Sequence, residues 1–181
     1  MLVANDKDAL GWSTLDNTPV NTVFTDDNPQ GSSRFFRHFS REEIQSMRED
    51  NILYHYHHRS IPILNYLLYP KLQAFFRVLS YNEIDGQFIA SSVEARKYPI
   101  YLTQYHPEVV LEAGATDINS VRSPINAKIA QSFSGFFAEE CQKSGHKWID
   151  EEAMKRQMVK NGYPGSIAFN VQQVNAYAFN Y

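Results

Sequence analysis

The stretch YPIYLTQYHPE, residues 98–108, decides how this chain is read. An apolar run ends abruptly in a base, a rigid joint and an acid. Along an extended strand, residues i and i+2 share a face about 6–7 Å apart, so His106 and Glu108 point the same way. Pro107 fixes its own φ and drives His106 into the extended region. The result is an imidazole on a stiff mount with a carboxylate beside it. Glu108 can accept a hydrogen bond from one ring nitrogen and leave the other for acid–base work. That is the base-and-orienter half of a nucleophilic triad. The plain alternative is a His and a Glu at a solvated strand end.

The rest of the chain bounds that reading. Its 181 residues have the length of one ordinary domain. The net charge of −3 is small and gives no reason to expect nucleic acid or an anionic membrane as partner. No apolar run reaches the roughly 20 residues that span a bilayer. The first residues, MLVANDKDALGW, show neither the cationic start nor the apolar core of a signal peptide. Cys141 is the one cysteine, which excludes an internal disulfide framework and a Cys-rich zinc site. There is no N-x-S/T sequon.

Working outward, GQFIASSVEA (86–95) predicts a strand, and the short polar link Arg96-Lys97 predicts a hairpin into the stretch above. After a polar loop over 109–122, SPINAKIAQSFSGFFAEECQKSG predicts the clearest helix. Ser123 stands at its N-cap, Pro124 at its first position and Gly145 at its end. Its apolar stripe is Ile125, Ile129, Phe133, Phe137 and Cys141, one residue in four. Residues 40–50 predict a helix opened by a capping box between Ser40 and Glu43. ILYHYHHRSI (52–61) predicts a strand, and KLQAFFRVLS (71–80) a short helix with some strand character. MLVAN and TPVNTVF read as short strands, TDDNPQGSS as a loop, 150–162 as a helix, and the tail from Ser166 as extended. The alternation implies α/β. No strand–Gly turn–helix unit is present, so the chain reads like the second half of an α/β domain.

The segment KYPIYLTQYHPE (97–108) resembles the strand that carries the catalytic His-x-Glu of class I glutamine amidotransferase-like enzymes. The match is closest to the gamma-glutamyl hydrolase (folate polyglutamate hydrolase) family, whose pattern K-Y-P-[VI]-Y-x-x-Q-[WFY]-H-P-E it fits throughout. The preceding KLQAFFRVLSYNEIDGQFIASSVEAR resembles the family's approach to that strand, with its L-x-x-F-F-x-V-L and a segment, Ile89 to Glu94, like its ISxxE. SSRFF, YHHRSI, FFAEECQKSGH and the near-terminal VQQ fall in the family's order. The resemblance covers most of the chain, from about residue 2 to 181. The Q-x-H-P-E core marks the superfamily, and the flanks favour gamma-glutamyl hydrolase.

The resemblance implies a single domain over 1–181, part of a class I glutamine amidotransferase-like fold. That fold has three layers around a mixed, mostly parallel sheet, here with the N-terminal part missing. It implies that His106 is general base and acid, that Glu108 orients it, and that His57 lies on the substrate side of the cleft. Arg34, in a segment like the family's S-R-x-F, is a candidate partner for a substrate carboxylate, with a surface ion pair as its alternative. Lys97 and Arg59 are further candidates for a polyglutamate tail. The implied reaction is thiolate attack on a γ-glutamyl amide of a folylpolyglutamate or other γ-glutamyl peptide, through a thioester. No metal or organic cofactor is needed, no nucleic acid or membrane partner is expected, and the family is commonly dimeric. Lysosome, vacuole or the extracellular space is the implied location.

One part is missing. The family's nucleophile is a Cys in a G-x-C-x-G turn, and this sequence has no such turn. Cys141 stands late on a helix and reads as a small buried, structural residue. The oxyanion-hole amide that follows the nucleophile is absent with it. The expectation is the C-terminal portion of a longer enzyme, inactive by itself, ahead of a short paralogue that serves as a non-catalytic binding subunit. A glutaminase domain is the third reading. His55, His57, His58 and His106 invite a zinc site, yet no ligand spacing compels one, so none is assigned. The pairs Phe35-Phe36, Phe75-Phe76 and Phe136-Phe137 read as packing residues.

Overall fold

A computed structural model describes residues 3–111, 118–158, 163–169 and 172–178, the last two stretches by their backbone. In chain order the elements are β1 (Gly11–Val20), β2 (Val23–Phe24), α1 (Pro29–Ser32), α2 (Arg41–Glu49) and β3 (Leu53–Ser60). Next come α3 (Ile63–Leu68), α4 (Pro70–Phe75), β4 (Phe76–Ile84), β5 (Gln87–Ala95) and β6 (Tyr101–Thr103). The chain continues through α5 (Pro124–Gln142), α6 (Glu151–Gln157), β7 (Tyr163–Phe169) and β8 (Gln172–Ala178). Residues 3–5 form a turn where a strand was expected, and Met1 and Leu2 lie outside the described residues. So do the last residues of the helix expected over 150–162, and Val171 of the near-terminal VQQ.

The mixed α/β class expected from the sequence holds. The described strands pair antiparallel, where the resemblance implied a mostly parallel sheet. β1 pairs with β3, the order β2-β4-β5-β6 makes a second sheet, and β7 pairs with β8. Parallel neighbours need a crossover of about a dozen residues or more. Between β4 and β5 there are only Asp85 and Gly86, both at positive φ (50° and 75°). That is the two-residue turn whose twist suits an antiparallel hairpin.

Residues 71–80 divide between two states. They close α4 and then open β4, where Phe76, Arg77 and Val78 meet Ala95, Glu94 and Val93 of β5. The cross-strand ladder overrides the local helical preference beyond Phe75. α2 opens on the capping box read from the sequence. The Glu43 backbone N–H donates to Ser40 Oγ (3.1 Å), and the Ser40 N–H donates to the Glu43 carboxylate (2.6 Å). Such a cap contributes about 1 kcal/mol.

α5 begins as expected, at Ser123 and Pro124, but its buried face differs. Asn126, Ile129, Ala130, Phe133 and Phe136 turn inward, while Phe137 is 69% exposed and Cys141 is exposed. A four-residue step overshoots one helical turn by about 40°, so a strict i+4 repeat walks round the helix. By Cys141 it has reached the far side. The reading of Cys141 as a buried residue is therefore corrected.

The core is aromatic. Phe36, fully buried, meets Phe24 at 5.1 Å and Phe39 at 5.2 Å, both edge-to-face, and Phe39 meets Phe133 of α5 at 4.8 Å. Pairs of this kind contribute about 0.5–1.5 kcal/mol each beyond the area they bury. This clamps the loop before α2 onto α5 and fixes the frame that carries residues 104–108. No helix among the described residues is long and apolar enough to cross a membrane.

Candidate active site

β6 stops at Thr103, three residues short of His106. Beyond it the chain leaves one sheet for the other. The Gln104 N–H donates to the Ser91 carbonyl of β5 (2.8 Å), and the His106 N–H donates to the Tyr54 carbonyl of β3 (2.8 Å). Between them Tyr105 is 2% exposed, and its hydroxyl pairs with Ser92 Oγ at 2.8 Å. Pro107 has no N–H to extend a ladder. The expected strand over 98–106 is thus a short strand and a bridging bend pinned at both ends.

The bend brings the two expected partners together. His106 Nδ1 lies 2.9 Å from Glu108 Oε1. Their side chains are 41% and 67% exposed. The Glu108 carboxylate raises the His106 pKa above its ordinary value, against partial burial, and the Tyr56 backbone adds to the rise. In return the His106 contact lowers the Glu108 pKa. The pair therefore favours an imidazolium held by a carboxylate, with Nδ1 committed to Glu108.

His57 is placed differently. Its Nδ1 lies 3.1 Å from the Ser13 carbonyl and its Nε2 3.1 Å from His55 Nδ1. A carbonyl only accepts, so His57 Nδ1 carries hydrogen, and the neutral ring accepts at Nε2 from His55 Nδ1. Both nitrogens of His57 are committed within the fold. The register of β1 against β3 slips between Trp12 and Leu15, and Ser13 lies at that irregularity. His55 is fully buried, and its Nε2 has no hydrogen-bond partner among the described residues. Burial, with His57 and His106 nearby, pushes its pKa down to about 3. Burial also lowers the pKa of His57, against the Ser13 carbonyl.

Strand parity explains the separation. His55 and His57 share one face of β3, as the sequence predicts, while Tyr54 and Tyr56 share the other. His55 sits 5.9 Å from the Tyr105 ring and Tyr54 sits 6.1 Å from the His106 ring, centroid to centroid. Beside His106 opens a cleft of about 410 Å³, lined by Asp16, Tyr54, Tyr56, Val109 and Ile118 among others. Neither His57 nor Arg34 lines it. The sequence reading missed Asp16, Tyr54 and Tyr56. For the tyrosines the signal was their i, i+2 spacing on β3, and for Asp16 there was none, because only the β1–β3 pairing brings it close.

Arg34 closes the frame instead. Its guanidinium donates to the carbonyls of Ala95 and of Tyr98 (3.2 Å) and lies over the Tyr101 ring at 5.4 Å. Beneath it the buried Glu94 carboxylate accepts from Arg77 and from the backbone N–H groups of Arg34 (3.1 Å) and Phe35 (3.3 Å). Arg59 stacks on Trp12 at 3.7 Å. Cys141 lies in the last turn of α5, in a groove it shares with Pro107 and Tyr101. Among the described residues no three His, Cys, Asp or Glu side chains are grouped to hold a metal ion.

Known proteins match most of the chain. The Rattus norvegicus gamma-glutamyl hydrolase is 31% identical over 188 residues, covering 99% of this chain and 56% of the rat protein. Gamma-glutamyl hydrolase B of Dictyostelium discoideum is 30% identical over 154 residues, covering 82% of this chain and 43% of that protein. The Homo sapiens gamma-glutamyl hydrolase is 29% identical over 128 residues, covering 70% and 40%. No protein-family model matches. The chain spans about half the length of the curated relatives it matches. Over the stretch it shares with them, it belongs to the gamma-glutamyl hydrolase family.

Proposed function

We propose that this polypeptide carries the acid–base half of a hydrolase for γ-glutamyl amide bonds, in folate polyglutamates or another γ-glutamyl peptide. The observation that carries the reading is the 2.9 Å contact between His106 Nδ1 and Glu108 Oε1, on a bend that opens to a cleft. His106 takes the proton from a cysteine thiol as that thiol attacks the γ-carbonyl carbon. It returns the proton to the departing amine, and a thioester is left. Water, deprotonated by the same imidazole, then releases the γ-glutamyl acyl part from the thioester as a free γ-carboxylate and restores the thiol. Glu108 holds the ring in the tautomer this needs and stabilises its charged form. The thiol and the oxyanion-hole amide are not supplied by this chain, so the 181 residues alone release no glutamate. His57 and Arg34 act on the substrate side through the frame they brace. A homodimer in the lysosome, vacuole or extracellular space accompanies this reading.

A second reading is binding without turnover. It is favoured by the position of Cys141, the one thiol, at the C-terminal end of α5. Sequencing the native message upstream of the Met1 codon separates the two. An in-frame G-x-C-x-G turn supports the hydrolase. A stop codon directly before Met1 overturns it, and calorimetry with a folate pentaglutamate then tests the binding role.

A further inference from the structure

The cleft beside His106 is walled by tyrosine. Tyr54 and Tyr56 alternate with His55 and His57 along β3, so both present to the cleft side, where Asp16, Val109 and Ile118 join them. Tyr54 is buried and forms the floor, 6.1 Å from the His106 ring, centroid to centroid. Tyr56 is 56% exposed and stands at the rim. Trp12, Tyr98 and Phe88 are exposed as well, but each carries a partner: the Arg59 guanidinium, the Phe75 ring and the Tyr81 ring. Among the described residues no ring or guanidinium packs on Tyr56.

Charge gives this cleft no strong preference of sign. His106, held as an imidazolium by Glu108, supplies a cation, and Asp16 supplies an anion, itself 3.5 Å from His58. What remains for discrimination is the pair of rings. Take a γ-glutamyl compound whose α-nitrogen carries an aromatic acyl group. Six bonds separate its γ-carbonyl carbon from the first ring atom, which in an extended chain is roughly 7 Å. The Tyr54 ring lies at a similar distance from the imidazole, and Tyr56 follows about 6–7 Å further along β3. A γ-carbonyl set at His106 therefore lays the aromatic group against the tyrosines, whereas an acetyl group ends where that ring would begin. Offset and edge-on contacts between rings add to the area they bury. The volume of about 410 Å³ lies in the range of small-ligand sites.

Resting on the γ-glutamyl reading above, we infer that Tyr54 and Tyr56 are specificity-determining residues, a platform that receives an aromatic acyl group on the α-nitrogen of a γ-glutamyl substrate. The test is an NMR titration of the 181-residue chain at neutral pH, following the ring signals of Tyr54, Tyr56 and His106 and those of the ligand. The ligands are N-benzoyl-γ-glutamyl-glutamate, its N-acetyl counterpart of the same charge, and N-benzoyl-α-glutamyl-glutamate. The benzoyl γ-compound is expected to bind about fivefold more tightly than the acetyl one, the scale of one aromatic pair, with its ring protons shifted upfield. Tyr56→Phe is expected to keep that preference and Tyr56→Leu to remove it, a change at an exposed side chain that leaves the fold intact. Equal binding of the acetyl and benzoyl compounds overturns the inference and leaves the γ-glutamyl reading standing. A preference that survives Tyr56→Leu overturns the assignment to Tyr56. The α-isomer binding as well as the γ-isomer overturns the γ-glutamyl reading and keeps the aromatic platform. Silence from all three ligands overturns both.

Discussion

His55 and His106 lie on segments joined by one backbone hydrogen bond, from the His106 N–H to the Tyr54 carbonyl, yet their chemistry diverges. His55 faces the core beside Tyr105, fully buried, with a second histidine as its hydrogen-bond partner. His106 faces the cleft, partly exposed, with a carboxylate as its partner. Burial drives the first pKa down to about 3, and Glu108 drives the second up. The residue type is the same. Which face of the bend and strand it occupies, and what meets it there, decides whether it stays neutral or takes a proton.

The largest effect that tests this contrast is on acid stability. The unfolded chain takes up the proton that folded His55 refuses. Stability is therefore full above pH 6.5, the ordinary value, and declines as pH falls towards about 3. Within that window the loss from this one group is about 1.4 kcal/mol per pH unit. Urea denaturation across a pH series should show it, and His55→Gln should flatten the slope. An unchanged slope in that variant breaks the comparison.

The same logic of face applies within α5. Phe133→Ala should cost about 3–5 kcal/mol, because the ring packs on Phe35, Phe36 and Phe39. Phe137→Ala, on the exposed side, should stay within about 0.5 kcal/mol. Chemical denaturation of the two variants measures the helix register directly, and equal losses contradict it.

At the cleft the expected effect is smaller and has the opposite sign in pH. The raised His106 pKa contributes stability that is full below pH 6.5 and is lost as pH rises through its folded value. The lowered Glu108 pKa contributes stability that is full above pH 4.5 and is lost as pH falls through its folded value. The pair therefore contributes between those two titrations. Because both side chains are well exposed, solvent screening holds the sum under about 1 kcal/mol. Glu108→Gln should return the His106 titration, followed by NMR, towards its ordinary value. No downward movement would mean that the contact does not hold the proton.

Cys141→Ala should do least, changing stability by less than about 0.5 kcal/mol. Glutamate release from a folate pentaglutamate should be undetectable for the 181-residue chain before and after the change. A rate that is present and then disappears with Cys141 would make that thiol the nucleophile.

Much of this molecule was legible as local pattern. Ser40 and Glu43 announce the start of α2 because a capping box is closed by residues three apart. Ser123 and Pro124 announce α5 for the same reason. His106 and Glu108 meet because an i, i+2 pair around a rigid proline needs little from the rest of the chain. The K-Y-P to H-P-E pattern also carried the family, since its letters are contiguous. Other features depended on partners remote in sequence. The strand beyond Phe75 exists because β5 is there to pair with it. The stripe of α5 was misread because an i+4 repeat drifts, and only the Phe35–Phe39 cluster shows which side is inside.

By itself, then, the sequence determined the caps, the His106–Glu108 contact and the family, each written in residues a few positions apart. The tertiary structure alone decided which histidines are buried and which reach the cleft. It assigned Arg34 to backbone carbonyls and His57 to Ser13 and His55, and it brought Asp16 to the side of His106. The physical reason is desolvation. A side chain's charge state and availability depend on what excludes water from it, and here those neighbours lie tens of residues away in the chain.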